Sequence, residues 1–221
     1  VEEAKDPMSY TGYWRDHQMM HLLTLLEHSR NFHPDLLRDL LHQSVYTYAN
    51  VPYRIKPWKD LLEEPKNTVE YDADLAAKIE QRVAAMGADG KLLLDADGSV
   101  YQVNLLEKLL VPLLSKLGNL VIEGGIWMNT QRPEWNDANN ALVGHGLSMV
   151  TLYYLRRYVH FLQHLLAEEL EEVTLSSEVS QWLTATTVAL RRVRPLIDEG
   201  TISAGQRYRL LRELGRAASD Y

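Results

Sequence analysis

Two clusters in the sequence carry side chains suited to chemistry on a polar substrate. The denser one spans residues 124–140 and reads Gly-Gly-Ile-Trp-Met-Asn-Thr-Gln-Arg-Pro-Glu-Trp-Asn-Asp-Ala-Asn-Asn. It gathers Trp127, Trp135, Arg132, the carboxylates Glu134 and Asp137, and several amides, Asn136 among them. Tryptophan faces stack on the apolar face of a sugar ring. Amides, arginine and carboxylates hydrogen-bond hydroxyls, and a carboxylic acid can protonate a glycosidic oxygen. The same residues also suit a capped loop, with Asn136 and Asp137 as helix N-caps and the tryptophans plugging the core. The second cluster, Tyr13-Trp14-Arg15-Asp16-His17-Gln18, sets Arg and Asp beside an aromatic pair where a helix begins. A charge pair at a helix N-terminus is its plainer reading.

Histidines offer less. His17 and His21 stand four apart, as do His160 and His164. That spacing can hold zinc, but no His-Glu-x-x-His frame or third ligand accompanies it, so no metal is expected. Asp95, Asp97 and Gly98 open like a calcium loop that lacks its closing Glu. His145 precedes a long helical pattern and can contact substrate or phosphate; an ordinary packed or surface histidine is the alternative.

The elements that must position these residues are mostly helical. Residues 14–29 place Met19, Leu22, Leu23 and Leu26 on one face. Pro34 suits a first helical turn and opens a helix expected to reach residue 48. Pro52, Pro57 and Pro65 mark 50–65 as an irregular connection. A short helix is expected over 72–86, with acidic residues in its first turn. Two Asp-Gly pairs within 87–103 imply a small β-hairpin, near 91–103. Further helices are expected over 104–117, 141–170, 178–199 and 203–218, with 118–140 a loop. The longest, 141–170, carries an apolar stripe of Leu147, Val150, Tyr154, Tyr158, Phe161 and Leu165, and Ser203 is a good N-cap for the last. The expected class is all-α: paired antiparallel helices with one β-hairpin, in a single helical domain over 1–221.

Composition sets bounds. The chain has 221 residues, 46% hydrophobic and 24% charged, with signs mixed, as in a folded globular protein. A formal net charge of -7 argues against a large nucleic-acid surface; Arg191, Arg192 and Arg194 read as a solvated helix face. There are no cysteines, which excludes disulfides and thiolate chemistry and fits a cytoplasmic setting. No apolar run approaches the ~18 residues of a membrane span. The sequence opens without an initiator Met or signal pattern and stops directly after an Arg/Leu-rich helical pattern. A piece of a longer catalytic barrel is therefore expected, with the remainder of the chain as a partner.

Together the two clusters resemble the cellobiose and chitobiose phosphorylase family and its hydrolase relatives. In that family an aromatic-Arg-Asp segment precedes a helix. Far along the chain follows a Gly-Asp-Trp-Asn-Asp-Gly-Met-Asn loop and then a long helix. Here Trp14-Arg15-Asp16 and Pro133-Glu134-Trp135-Asn136-Asp137-Ala138-Asn139-Asn140 stand in that order, with an identical Trp-Asn-Asp core. Glu134 replaces the family's Asp, and Ala138-Asn139 its Gly-Met, so a divergent subfamily is implied. The similarity runs over about residues 13–158.

The resemblance implies helical hairpins forming part of an (α/α)6 toroid and inverting cleavage of a glycosidic bond in a disaccharide or oligosaccharide. Asp137 would be the general acid. Arg15 and Asp16 would hold hydroxyls of the sugar whose bond breaks, and Trp135 would line that subsite. Trp14, Arg132, Glu134 and Asn136 complete the implied substrate-binding set. No cofactor is implied; inorganic phosphate is the co-substrate if the reaction is phosphorolysis. A hydrolase would instead need a base ~6.5–9.5 Å from the acid. Neither a phosphate site nor a base is recognisable before Tyr221, so the chain alone is expected to be catalytically incomplete. A helix start keeps a carboxylate ionised, so an acid at Asp137 needs an offset, from burial beside tryptophan or from Glu134 or Asp16. The reading from a different class is a non-catalytic helical module that binds sugar or a partner.

Overall fold

The computed structural model describes residues 16–65, 67–129, 142–167 and 172–221, with side chains described from Met19 onward. Its eight α-helices are α1 (Asp16–Phe32), α2 (Pro34–His42), α3 (Trp58–Glu63), α4 (Ala73–Met86), α5 (Leu105–Leu117), α6 (Met149–Ala167), α7 (Ser177–Asp198) and α8 (Ala204–Asp220). Seven short strands, β1 (Tyr46–Thr47), β2 (Tyr53–Ile55), β3 (Val69–Tyr71), β4 (Gln102–Val103), β5 (Leu120–Val121), β6 (Gly125–Trp127) and β7 (Leu147–Ser148), form three small antiparallel sheets. The chain is thus mostly helical, with small β-elements at the helix ends.

Helix α5 is the hub. Leu105, Leu106, Leu109, Leu110, Leu113 and Leu114 are all buried and cover about half its circumference, and no residue of α5 is exposed. A helix with no exposed residue must be enclosed by neighbours, and α2, α6, α7 and α8 all pack on it. Each buried leucine contributes roughly 1.5–3 kcal/mol. The main core joins it to Met19, Leu23 and Leu26 of α1, Leu37 and Leu41 of α2, Leu155, Tyr158, Phe161, Leu162 and Leu165 of α6, and Val179 and Trp182 of α7. Tyr158 is fully buried and donates its hydroxyl to the Leu109 carbonyl at 3.0 Å.

Helix starts follow local capping chemistry. Asp72 accepts from the Leu75 N–H, Asn104 from the Glu107 N–H, and Ser203 forms a reciprocal capping box with Gln206. Polar contacts tie the start of α5 to that of α7. Asn104 Nδ2 donates to the Thr174 carbonyl at 2.6 Å, and the buried Glu107 carboxylate accepts the Ser176 N–H at 2.7 Å. Helices α7 and α8 form an antiparallel hairpin: Arg192 pairs with Glu213 at 2.8 Å, while Trp182 stacks on Tyr221 at 4.5 Å.

Several sequence expectations need correction. The helix from Pro34 ends at His42, not near residue 48, because Tyr46 and Thr47 pair with Val103 and Gln102. Aromatic and β-branched residues suit that pleated contact. The 50–65 connection contains β2, paired with β3, and helix α3, N-capped by Pro57. Of the two Asp-Gly pairs, Asp89-Gly90 lies in a 3-10 helix over Gly87–Lys91. Only Asp97-Gly98 turns the chain, with Gly98 at φ 86 and Leu94 bridging Val100. Loop 118–140 holds β5 and β6. The long helix starts at Met149 instead of 141, because Leu147–Ser148 pairs with Ile126 and Trp127. Leu147 and Val150 of the expected stripe are consequently exposed. Arg191, Arg192 and Arg194 do lie on an exposed face. Among the described residues no helix is long and apolar enough to cross a membrane.

Trp58 is a keystone of the smaller elements. It is buried, its backbone N–H donates to Ser219 Oγ at 3.0 Å, and a Cβ on Gly215 would meet its ring at 2.3 Å. Gly215→Ala should therefore cost about 1–3 kcal/mol through overpacking, read by urea unfolding followed by tryptophan fluorescence; unchanged stability would show that α8 does not seat Trp58. Glu107→Leu should cost about 1–3 kcal/mol, because the Ser176 N–H loses its acceptor. Glu107→Gln, which keeps one acceptor oxygen, should cost less in the same assay.

Burial pushes the phenols of Tyr48 and Tyr158 well above the usual tyrosine value of 10.0; Tyr221, Glu107 and Tyr101 add to the effect at Tyr48. An acid whose folded pKa is raised stabilises the fold below its unfolded pKa and loses that contribution as pH climbs past it. Melting temperature should fall above about pH 10. Tyrosinate absorbance from these two residues should appear only together with unfolding.

Candidate functional site

Trp14, Arg15, Arg132, Glu134, Trp135, Asn136 and Asp137 lie outside the described residues, as does the side chain of Asp16, whose backbone opens α1. What the fold does define is the neck from which residues 130–141 depart and to which they return. On the outgoing side, Asn119 just after α5 is the anchor. Its carbonyl accepts the Trp127 N–H at 2.8 Å, and its side-chain oxygen accepts from Asn129 Nδ2 at 2.6 Å. Asn129 is itself buried.

On the returning side, Leu142 accepts from the N–H groups of His145 and Gly146, closing a turn in which Gly144 adopts φ 84. Backbone bonds run from Met128 N to Gly146 O at 3.0 Å and from Gly144 N to Met128 O at 2.6 Å. The Trp127 indole N–H donates to the Gly144 carbonyl at 3.1 Å. A Cβ at Gly144 would strike Pro65 at 2.6 Å. Both the positive φ and the close approach therefore call for glycine. Ser148 then caps α6: its hydroxyl accepts the Thr151 N–H at 3.2 Å and meets Thr151 Oγ1 at 2.7 Å.

Trp127, read from the sequence as a sugar-stacking candidate, is half-buried and packs edge-on against Trp58 at 5.5 Å between centroids. Its indole N–H is already used. It is a structural clamp of the neck, as the core-plug reading allowed. His145 is exposed on the turn, before α6 and not within it.

Elsewhere the structure brings together groups that sequence reading did not assemble. A cleft of about 870 Å³ between α1 and α6 is lined by Glu27, Arg30, Asn31, Tyr153, Arg156, Arg157, His160, Phe161 and His164. Arg157 Nη2 bonds both oxygens of Glu27 at 2.9 Å. The His160 and His164 Nε2 atoms face each other at 3.2 Å. The recurrence of Tyr153, Arg156, Arg157, His160 and His164 at helical spacing was the available signal; its partner stripe on α1 was not visible because the two helices are remote in sequence.

At the would-be calcium loop, Asp97 Oδ1 accepts from the Ser99 N–H and hydroxyl at 2.9 and 2.7 Å. These bonds hold its carboxyl below the ordinary aspartate value. Among the described residues no three His, Cys, Asp or Glu side chains converge as a metal site. No protein-family model matches this chain, and no curated protein matches it.

Proposed function

We propose that this chain carries part of the catalytic apparatus of an inverting carbohydrate-active enzyme. It would cleave a glycosidic bond in a disaccharide or oligosaccharide by phosphorolysis or hydrolysis, on helical hairpins of an (α/α)6 toroid. Asp137 is the proton donor to the leaving sugar. Arg15 and Asp16 bind hydroxyls at the broken bond, with Trp14, Arg132, Glu134, Trp135 and Asn136 around them. No cofactor takes part, and inorganic phosphate is the nucleophile in the phosphorolytic case.

The observation that carries this reading is the similarity of the Trp135-Asn136-Asp137 segment to the family's loop, together with the neck that holds its ends. Asn129 is held by its side-chain bond to Asn119 and Leu142 by backbone bonds from His145 and Gly146, while the Trp127 indole and a glycine that tolerates no side chain close the neck between them. Catalytic groups need a rigid support of this kind to be held in productive geometry. The α7–α8 hairpin is compatible with the toroid, since antiparallel helix pairs are its building unit.

Asp137→Asn tests the assignment, because it keeps size and most hydrogen bonds but removes the proton. Turnover of a natural disaccharide by the full-length enzyme should fall about 10²–10⁴-fold, with sugar binding changed far less. An aryl glycoside with an acidic leaving group should be partly spared, since it needs little protonation. Equal losses on both substrates would reject the acid role. Wild-type turnover would reject the site, and loss of sugar affinity alone would favour a binding module. Running each assay with and without phosphate, and measuring sugar phosphate release, separates phosphorolysis from hydrolysis.

A further inference from the structure

One face of α6 is built against ordinary helix electrostatics. Arg156, His160 and His164 follow at four-residue intervals, and Arg157 adjoins them. Basic groups four apart on a helix weaken it when charged, and an amphipathic surface helix usually intersperses both signs. Here the facing surface of α1 adds Arg30 and supplies one carboxylate, Glu27. Among the described residues the lining thus holds Arg156 and Arg157, with Arg30 at its edge, and one carboxylate, in a chain whose formal net charge is -7. A local reversal of sign in a concave site is what draws in a counter-ion.

The guanidiniums are also prepared for a ligand. Glu27 engages Arg157 through Nη2 alone, so the pair fixes the plane of the group while Nη1 and Nε keep their donors. The guanidinium lies 5.6 Å from the Tyr154 ring centre, a second restraint. Arg156 makes no ion pair among the described residues. His160 and His164 bring their Nε2 atoms to 3.2 Å, with ring planes 69° apart. The arginines are the permanently charged donors of the cleft. Tyr153, 62% exposed, stands in the lining as an open aromatic face.

We propose that the cleft between α1 and α6 binds a phosphate dianion, free or as the end of a small phosphomonoester, held by Arg156 and Arg157. Guanidinium forks match phosphate oxygens in pairs, and two forks on neighbouring positions of one helix can serve different oxygens of a tetrahedral group. The volume exceeds that of phosphate alone and lies within the range of small-molecule sites, leaving room for an organic body against Tyr153. A divalent cation held by the two imidazoles is opposed by the three guanidiniums. The site shares no residue with the proposed glycosidic centre and stands or falls independently of it.

Calorimetric titration of the full chain at low ionic strength tests this, with inorganic phosphate, a hexose monophosphate, glycerol phosphate and unphosphorylated glucose as probes. The phosphate-bearing probes should bind saturably at one site per chain, and glucose should not. Tighter binding of an ester than of inorganic phosphate identifies the ester as the ligand; equal binding identifies free phosphate. Arg156→Gln and Arg157→Gln should each weaken binding by about tenfold or more. Arg191→Gln, on an exposed face of α7, should leave it unchanged, and circular dichroism should show all three variants folded. Absence of saturation up to about 10 mM, an affinity of roughly −2.7 kcal/mol, would overturn the proposal. So would equal weakening by Arg191→Gln, or binding that requires added zinc and disappears with a chelator.

Discussion

Two polar contacts at the start of α5 hold the rest of the molecule in register. Asn104 caps its own helix through Oδ1 and binds the Thr174 carbonyl through Nδ2, while Glu107, one turn on, accepts the Ser176 N–H. These are buried groups, and a buried donor or acceptor left without a partner costs more than a satisfied one contributes. The leucines of α5 supply much of the burial in the core but little direction, since like side chains spread over half its circumference leave it free to shift among its neighbours. The amide and the carboxylate remove that freedom by fixing where α7 begins.

From that joint the constraint passes outward through close contacts. Helix α7 carries α8 antiparallel to itself, and α8 presents Gly215 to Trp58. Trp58 meets Trp127 edge-on, and Trp127 holds the Gly144 carbonyl. The turn at Glu123, a non-glycine residue at φ 59, is held to α8 by an ion pair with Arg207. The neck around residues 130–141 thus rests on side chains drawn from most of the chain. Asn119, immediately after α5, reaches it directly. The neck is held in this way even though its strands are only two or three residues long.

Helix α6 shows the opposite economy. Its inner face, with Thr151, Leu155, Tyr158, Leu162 and Leu165, is closely packed, and the Tyr158 hydroxyl reaches the α5 backbone. Its cleft-facing stripe gathers guanidiniums and imidazoles that do nothing for the core. The Arg157–Glu27 pair is partly exposed, so it contributes at most modestly to stability. Its larger physical effect is to orient the guanidinium. Stability and recognition are thereby separated on two faces of one helix.

Local chemistry made much of this legible in the sequence. Ser203 with Gln206 three positions on specifies the start of α8, and leucines recurring at helical intervals specify the buried sides of α1 and α5. The resemblance at Trp135-Asn136-Asp137 can likewise be read from residue types alone. Tertiary structure decided what depends on partners remote in sequence. Tyr46 and Thr47 become a strand only because Gln102 and Val103 arrive beside them, and α6 starts late because Leu147 and Ser148 are claimed by β6. Strand pairing and clefts are properties of two segments at once, and no window along one segment contains the other. For the same reason the pairing of Arg157 with Glu27 at 2.9 Å belongs to α1 and α6 together and to neither alone.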